Sequence, residues 1–241
     1  MDASSNIFDI TRYTSTDLID KNPGYMALKY HAEKAFAEAG FRVECVPFPS
    51  YALFSKAYYL ELRSLDKTKV HDYCFMGSIN SAPERRQWVI DFARTHFTEA
   101  SVFLNTDNPP DWEPLGPFDV TGKVDGFAPK NAVNPQSAIN QYRVVRENLF
   151  YFETLSRSKF SVCPAGDNKW SWRFYETLMC ESIPIVETRH HTYRTTSEGH
   201  VNYKYYLAKK PETHVFDTTL VHHNLYVFER IHLLPPLVLD S

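Results

Sequence analysis

The sequence predicts an α/β fold built on a mostly parallel sheet. Short apolar runs suited to buried strands alternate with longer stretches at helical spacing. Two of the runs, residues 73–76 and 160–163, lead into glycine-containing loops that open helices, the strand–loop–helix pattern of parallel sheets. With 241 residues the chain is long enough to bury a sizeable core, in one large domain or two small ones.

Each element follows from local pattern. Residues 6–10 read as a short strand and 11–23 as a polar loop. Residues 25–39 place Met26, Tyr30 and Ala37 near helical spacing, with Gly40 as the stop, and 41–46 alternate as a strand closed by Pro47 and Pro49. A second unit starts near Val70. Its apolar run Tyr73-Cys74-Phe75-Met76 ends in Gly77-Ser78. Ser81 and Glu84 have the spacing of a capping box, and Trp88, Val89, Phe92 and Phe97 carry a helix to about His96. Residues 101–104 are the next strand. Residues 105–130, rich in Pro, Gly and Asp, are too long for a plain connection and predict a functional or partly mobile loop. Asn134-Pro135 opens a helix reaching Leu155. A strand at 160–163, a helix at 171–180 and a strand at 183–186 follow. A last helix spans 220–234, stopped by Pro235-Pro236. Parallel sheets bind ligands beyond the carboxyl ends of their strands, so the loops after Met76, Val162 and Val186 are where function is expected.

Bulk properties narrow the classes. The net charge of −3 and the lack of a basic run speak against nucleic acid or an anionic membrane surface as partner. Cys45, Cys74, Cys163 and Cys180 form no C-x-x-C. Three of them lie in apolar runs, which predicts buried free thiols and a reducing compartment. The first residues show neither a basic nor an apolar region, and no apolar run approaches the roughly 20 residues of a membrane span. A soluble, cytoplasmic chain without a signal peptide is the expectation.

The stretch that carries chemistry runs from Ser158 to Leu178. It reads as strand, glycine-containing loop and helix start, which aims unpaired N–H groups and a positive dipole end at one point and suits a phosphate. Lys169 in the loop and Arg173 in the first turn add positive charge. Arg173 and Glu176 are three apart and share a helix face, so one can meet a phosphate while the other accepts from ribose hydroxyls. A surface ion pair after a glycine turn reads equally well from this pattern alone.

The pattern resembles the donor-binding signature of the exostosin-like glycosyltransferases. The matching residues are Cys163-Pro164, Gly166-Asp167, Ser171-Trp172-Arg173-Phe174-Tyr175-Glu176 and Ile183-Pro184-Ile185-Val186. Residues 73–78 with the basic pair Arg85-Arg86 resemble that family's first donor-domain strand and helix. The similarity covers roughly residues 70–186. It implies paired Rossmann-like domains of the GT-B type, here with a reduced N-terminal acceptor half at 1–66 and a nucleotide-sugar domain at 67–241. It also implies a UDP-sugar donor and no cofactor or metal; the lack of an Asp-x-Asp motif agrees with a metal-free reaction. UDP-xylose is the donor expected, since a small chain with bulky aromatics near the site suits a pentose, with a glycan or glycoprotein acceptor and an inverting reaction. The implied donor set is Gly77, Ser78, Arg85, Cys163, Gly166, Asp167, Lys169, Trp170, Ser171, Arg173 and Glu176, with Asp17 and Asp20 as candidate bases.

The sequence departs from the family pattern in places. Ala165 stands where a basic residue is common. Glu181-Ser182 replaces Gly-Cys, which predicts a strained left-handed stop at Glu181 costing about 1 kcal/mol. The N-terminal half is also short. His190-His191 after the 183–186 strand and Trp112 in the long loop are further candidate contacts; His31 reads as structural, and the adjacent His222-His223 point in different helix directions and do not read as a metal site. A GDP-fucose-dependent enzyme and a non-catalytic glycan- or nucleotide-binding module are the alternatives.

Overall fold

The computed structural model describes residues 25–27, 52–54, 56–79, 83–107, 109–124, 148–166, 171–189 and 203–231. In chain order these form β1 (Tyr25–Ala27), β2 (Ala52–Phe54), α1 (Lys56–Ser64), β3 (His71–Gly77), α2 (Pro83–His96), β4 (Val102–Asn105), α3 (Leu149–Arg157), β5 (Ser158–Val162), α4 (Trp172–Met179), β6 (Ile183–Val186), β7 (Tyr206–Leu207), a 3-10 turn (Pro211–Thr213) and α5 (Thr218–Ile231). The strand at 6–10, the strand at 41–46, the Ser81 cap and the helix start at Asn134-Pro135 lie outside the described residues. Tyr25–Ala27 is not the helix start expected. It pairs antiparallel with Ala52–Phe54, a partner too distant in sequence for any local pattern to reveal.

The principal sheet has strand order β4-β3-β5-β6-β7, and every pairing in it is parallel. With helices packed against it, this is the predicted α/β, Rossmann-like architecture. β4 and β6 are buried at every position, as strands covered on both faces are. Pro184 is tolerated in this interior because of register. The Ile185 carbonyl accepts from Cys163 on the β5 side, whereas the Val186 carbonyl accepts from Ala208 on the β7 side. Pro184 shares the parity of Val186, so its missing N–H faces β7, which pairs only from Ile185 onward.

The core fills both faces. Tyr73 packs with Phe97, Phe160 and His214, and Phe160 also with His214, which lies on the segment after β7. On the other side α4 is buried from Phe174 through Met179, enclosed by α1, α3, α5 and β6. Leu62 of α1 is fully buried, and Tyr59 stacks on Phe228 of α5 and donates to Glu229. A domain division after residue 66 therefore falls just beyond a helix that is part of this core.

The described part of the long 105–130 loop, residues 105–107 and 109–124, is ordered by one buried carboxylate. Asp119 accepts from Trp112 Nε1 at 2.8 Å, from Leu115 N at 3.0 Å and from Thr121 N at 2.9 Å. The loop then folds along β4: Phe103 N donates to the Phe118 carbonyl and Val120 N to the Phe103 carbonyl. It thus covers what would otherwise be an open sheet edge.

Helix α4 ends in a Schellman stop. Ser182 N donates to the Thr177 carbonyl and Glu181 N to that of Leu178, both at 3.0 Å, and Glu181 has φ 60°. The strained geometry predicted for a non-glycine residue here is present. The Glu181 carboxylate is paired with Arg63 of α1.

Candidate functional site

Strand order fixes where a ligand can bind. From β3 the chain crosses to β4 on one side, and from β5 to β6 on the other. The connections leaving the carboxyl ends of β3 and β5 therefore diverge, and an open α/β sheet binds ligands at such a switch point. Gly77 and Ser78 form one lip of this crevice, and Ala165 and Gly166 the other.

Three guanidinium groups join the lips. Arg85 Nη1 donates to the Gly166 carbonyl at 2.8 Å. Arg86 spans the crevice, with Nε to the Ala165 carbonyl at 3.1 Å and Nη1 to the Ser78 carbonyl at 2.5 Å. Both sit in the first turn of α2, where cations oppose the helix dipole. The third, Arg173, forms the floor. Its Nη2 donates to the Met76 carbonyl and Nη1 to that of Val162 at 3.5 Å, and its guanidinium lies 4.8 Å over the Phe75 ring. Gly77 lets it pass, since a Cβ there would come within 3.3 Å of the guanidinium carbon.

Behind Arg173 stand Tyr151 and Glu176. The Tyr151 hydroxyl donates to Glu176 Oε2 at 2.5 Å and accepts from Arg173 Nε at 3.4 Å. Glu176 is 5% exposed. Burial first, then the Glu176 charge, push the Tyr151 phenol far above its ordinary pKa, so it stays a neutral donor. Ser171 holds the N-cap position of α4 in extended geometry but makes no side-chain cap; its buried Oγ has no hydrogen-bond partner. The first turn of α4 thus lacks the hydroxyl cap that Ser commonly supplies.

The candidate residues are placed unevenly. Gly77, Ser78, Arg85, Gly166, Ser171, Arg173 and Glu176 are gathered around the ends of β3 and β5. Cys163 lies beneath them: its thiol is buried against Thr177 and Ser161, and burial pushes its pKa to about 12. Asp167, Lys169, Trp170, Asp17, Asp20 and His190-His191 lie outside the described residues. Trp112 stacks at 6.0 Å on Phe103 and bonds to Asp119, and so is used in packing. Tyr151 and Arg86 were missed as candidates. For Arg86 a signal existed, because two arginines opening a helix run against its dipole.

Residues 128–216 match the family model described as the RXYLT1 C-terminal domain. The match covers 89 of the 241 residues and is a similarity to an exostosin-like, xylosyltransferase-related domain. The RXYLT1 C-terminal match takes in α3, β5, α4, β6 and β7, hence Tyr151, Gly166, Ser171, Arg173 and Glu176. Gly77, Ser78, Arg85 and Arg86 precede it. No curated protein matches the chain significantly. Cys74, Cys163 and Cys180 are free and buried. Among the described residues no group of three or more His, Cys, Asp or Glu side chains is placed to hold a metal ion, and no helix is long and apolar enough to cross a membrane.

Proposed function

We propose that this chain is a glycosyltransferase that binds a UDP-sugar across the β3–β5 crevice and transfers the sugar to a glycan hydroxyl. One observation carries the reading: three guanidinium groups converge on the loop ends at the switch point of a parallel sheet. A diphosphate is the ligand such a cradle suits. The xylosyltransferase-related family match favours xylose as the transferred sugar.

In this reading the acceptor oxygen attacks the anomeric carbon as its bond to the β-phosphate oxygen breaks. UDP leaves with the bonding electron pair, the acceptor proton passes to a base, and the configuration inverts. Charge grows on the departing diphosphate. Arg85, Arg86 and the amino end of α4 stabilise it without a metal, Ser171 Oγ donates to a phosphate oxygen, and Glu176 accepts from the ribose. Asp167, Lys169 and Trp170, which stand between Gly166 and Ser171 in the sequence, complete the donor set, and Asp17 and Asp20 are the candidate bases.

The test is a thermal shift against UDP, GDP and UDP-sugars with EDTA present. At a hundred times its Kd a ligand adds about 2.7 kcal/mol, or roughly 5–10 °C for a chain of this size. UDP and UDP-xylose are expected to raise the midpoint and GDP not to. Stabilisation by GDP alone redirects the assignment to a fucosyltransferase-like enzyme. No shift with any nucleotide at millimolar concentration removes the donor site.

A further inference from the structure

Tyr151 lies on α3, outside the loop–helix signature, yet its hydroxyl joins the two charged signature residues. It donates to Glu176 Oε2 at 2.5 Å and accepts from Arg173 Nε at 3.4 Å. We propose that Tyr151 is a positioning residue: it aims the Glu176 carboxylate at the ribose of a bound nucleotide and so sets a preference for ribonucleotide over 2′-deoxyribonucleotide. The inference rests on the crevice being a nucleoside-diphosphate site.

The last torsion of a glutamate is broad, so a carboxylate on its own does not hold one plane. Fixing Oε2 fixes that plane, and the plane decides whether a ribose diol can present both hydroxyls to the carboxylate. Through the same phenol oxygen the carboxylate is tied to Arg173, which is anchored on the Met76 and Val162 carbonyls at the ends of β3 and β5. One hydroxyl thus sets the distance between the group that reads the sugar and the strand ends beside which the phosphates lie. The aromatic body of Tyr151 packs edge-on against Phe152 at 4.9 Å, so removing the hydroxyl leaves the ring's packing in place.

The experiment is calorimetric titration of UDP and 2′-deoxy-UDP into the full chain and into Tyr151→Phe, with thermal melts to confirm folding. A hydrogen bond to a charged group predicts that the unaltered chain prefers UDP by about tenfold or more, and that Tyr151→Phe narrows the preference to within about threefold. Affinity for 2′-deoxy-UDP is expected to change little, a pattern that general loosening of the fold does not produce. If Tyr151→Phe does not fold, Tyr151→His is used. It keeps a ring with an N–H donor and is expected to retain the preference; equal binding of both nucleotides by that variant counts against the proposal. Full preference retained in Tyr151→Phe overturns it, as does tighter UDP binding, which would make Tyr151 a latch on the sugar subsite. A chain that binds neither nucleotide refutes the donor reading itself, whereas one that binds and discriminates regardless of Tyr151 refutes only this inference.

Discussion

Replacing Glu181 with glycine and with alanine separates backbone strain from the ion pair, and the two variants have a predictable order. Glu181 sits at φ 60° in the stop of α4, with its carboxylate paired to Arg63. Both variants lose the pair, which is only partly buried and contributes about 0.2–1 kcal/mol. Only glycine relieves the left-handed conformation, which costs an L-residue roughly 1–2 kcal/mol, while its freer unfolded chain returns about 0.4–1 kcal/mol. Glu181→Ala should therefore lose about 0.5 kcal/mol, and Glu181→Gly should be more stable than Glu181→Ala by about 1 kcal/mol, or roughly 2–4 °C in Tm. In an Arg63→Ala background the pair is already gone, and Glu181→Gly should then be stabilising outright. Urea unfolding followed by tryptophan fluorescence measures each difference. Within a helix the order reverses, with alanine better by about 1 kcal/mol. Alanine equal to or better than glycine at 181 would thus refute the left-handed stop.

Two further outcomes follow from the packing. Gly77→Ala places a methyl against the Arg173 guanidinium, which its carbonyl partners hold in place; it should lower the melting midpoint and weaken UDP together, and an unchanged UDP affinity would show that Arg173 is not the floor of the site. His214 is half-buried among Tyr73, Phe92, Phe160 and Tyr206, and burial lowers its pKa from the usual 6.5. The unfolded chain then binds the extra proton first, so this contribution to stability is present above pH 6.5 and is lost as pH falls through the lower folded value. His214→Phe should flatten that acid limb in melts between pH 7 and 5; an identical slope would exclude His214 as its source.

What was legible in the sequence was what local pattern encodes. β3, β5 and β6 are apolar runs bounded by turn residues, and α4 begins within one residue of the helix expected at 171–180. The stop at Glu181 was legible because the demand for φ > 0 is a local property of helix ends. β7 was not, since two residues carry no period. α1 was not either: its place is set by Leu62 and Tyr59 meeting α4 and α5 from far away in the chain. The long loop looked functional or mobile because its composition is that of a turn. Its order comes instead from Asp119, whose three donors come together only once the loop has closed on β4.

The same limit applies to the site, and it changes how its mutants must be read. The i,i+3 spacing put Arg173 and Glu176 on one face, but spacing does not tell which way that face turns. In the fold it turns inward: Glu176 is buried, and Arg173 holds the carbonyls of two strand ends while bonding to Tyr151. Loss of nucleotide affinity in Arg173→Ala would therefore follow equally from a lost phosphate contact or from a loosened floor. Arg85 lies at the rim, exposed, on a loop carbonyl. Removing it changes the charge facing a diphosphate while leaving the strand ends tied. If Arg85→Ala weakens UDP without lowering the melting midpoint, and Arg173→Lys lowers both, the rim binds the phosphates and the signature arginine builds the surface against which they are bound. If Arg173→Lys weakens UDP at an unchanged midpoint, the signature residue is itself the contact.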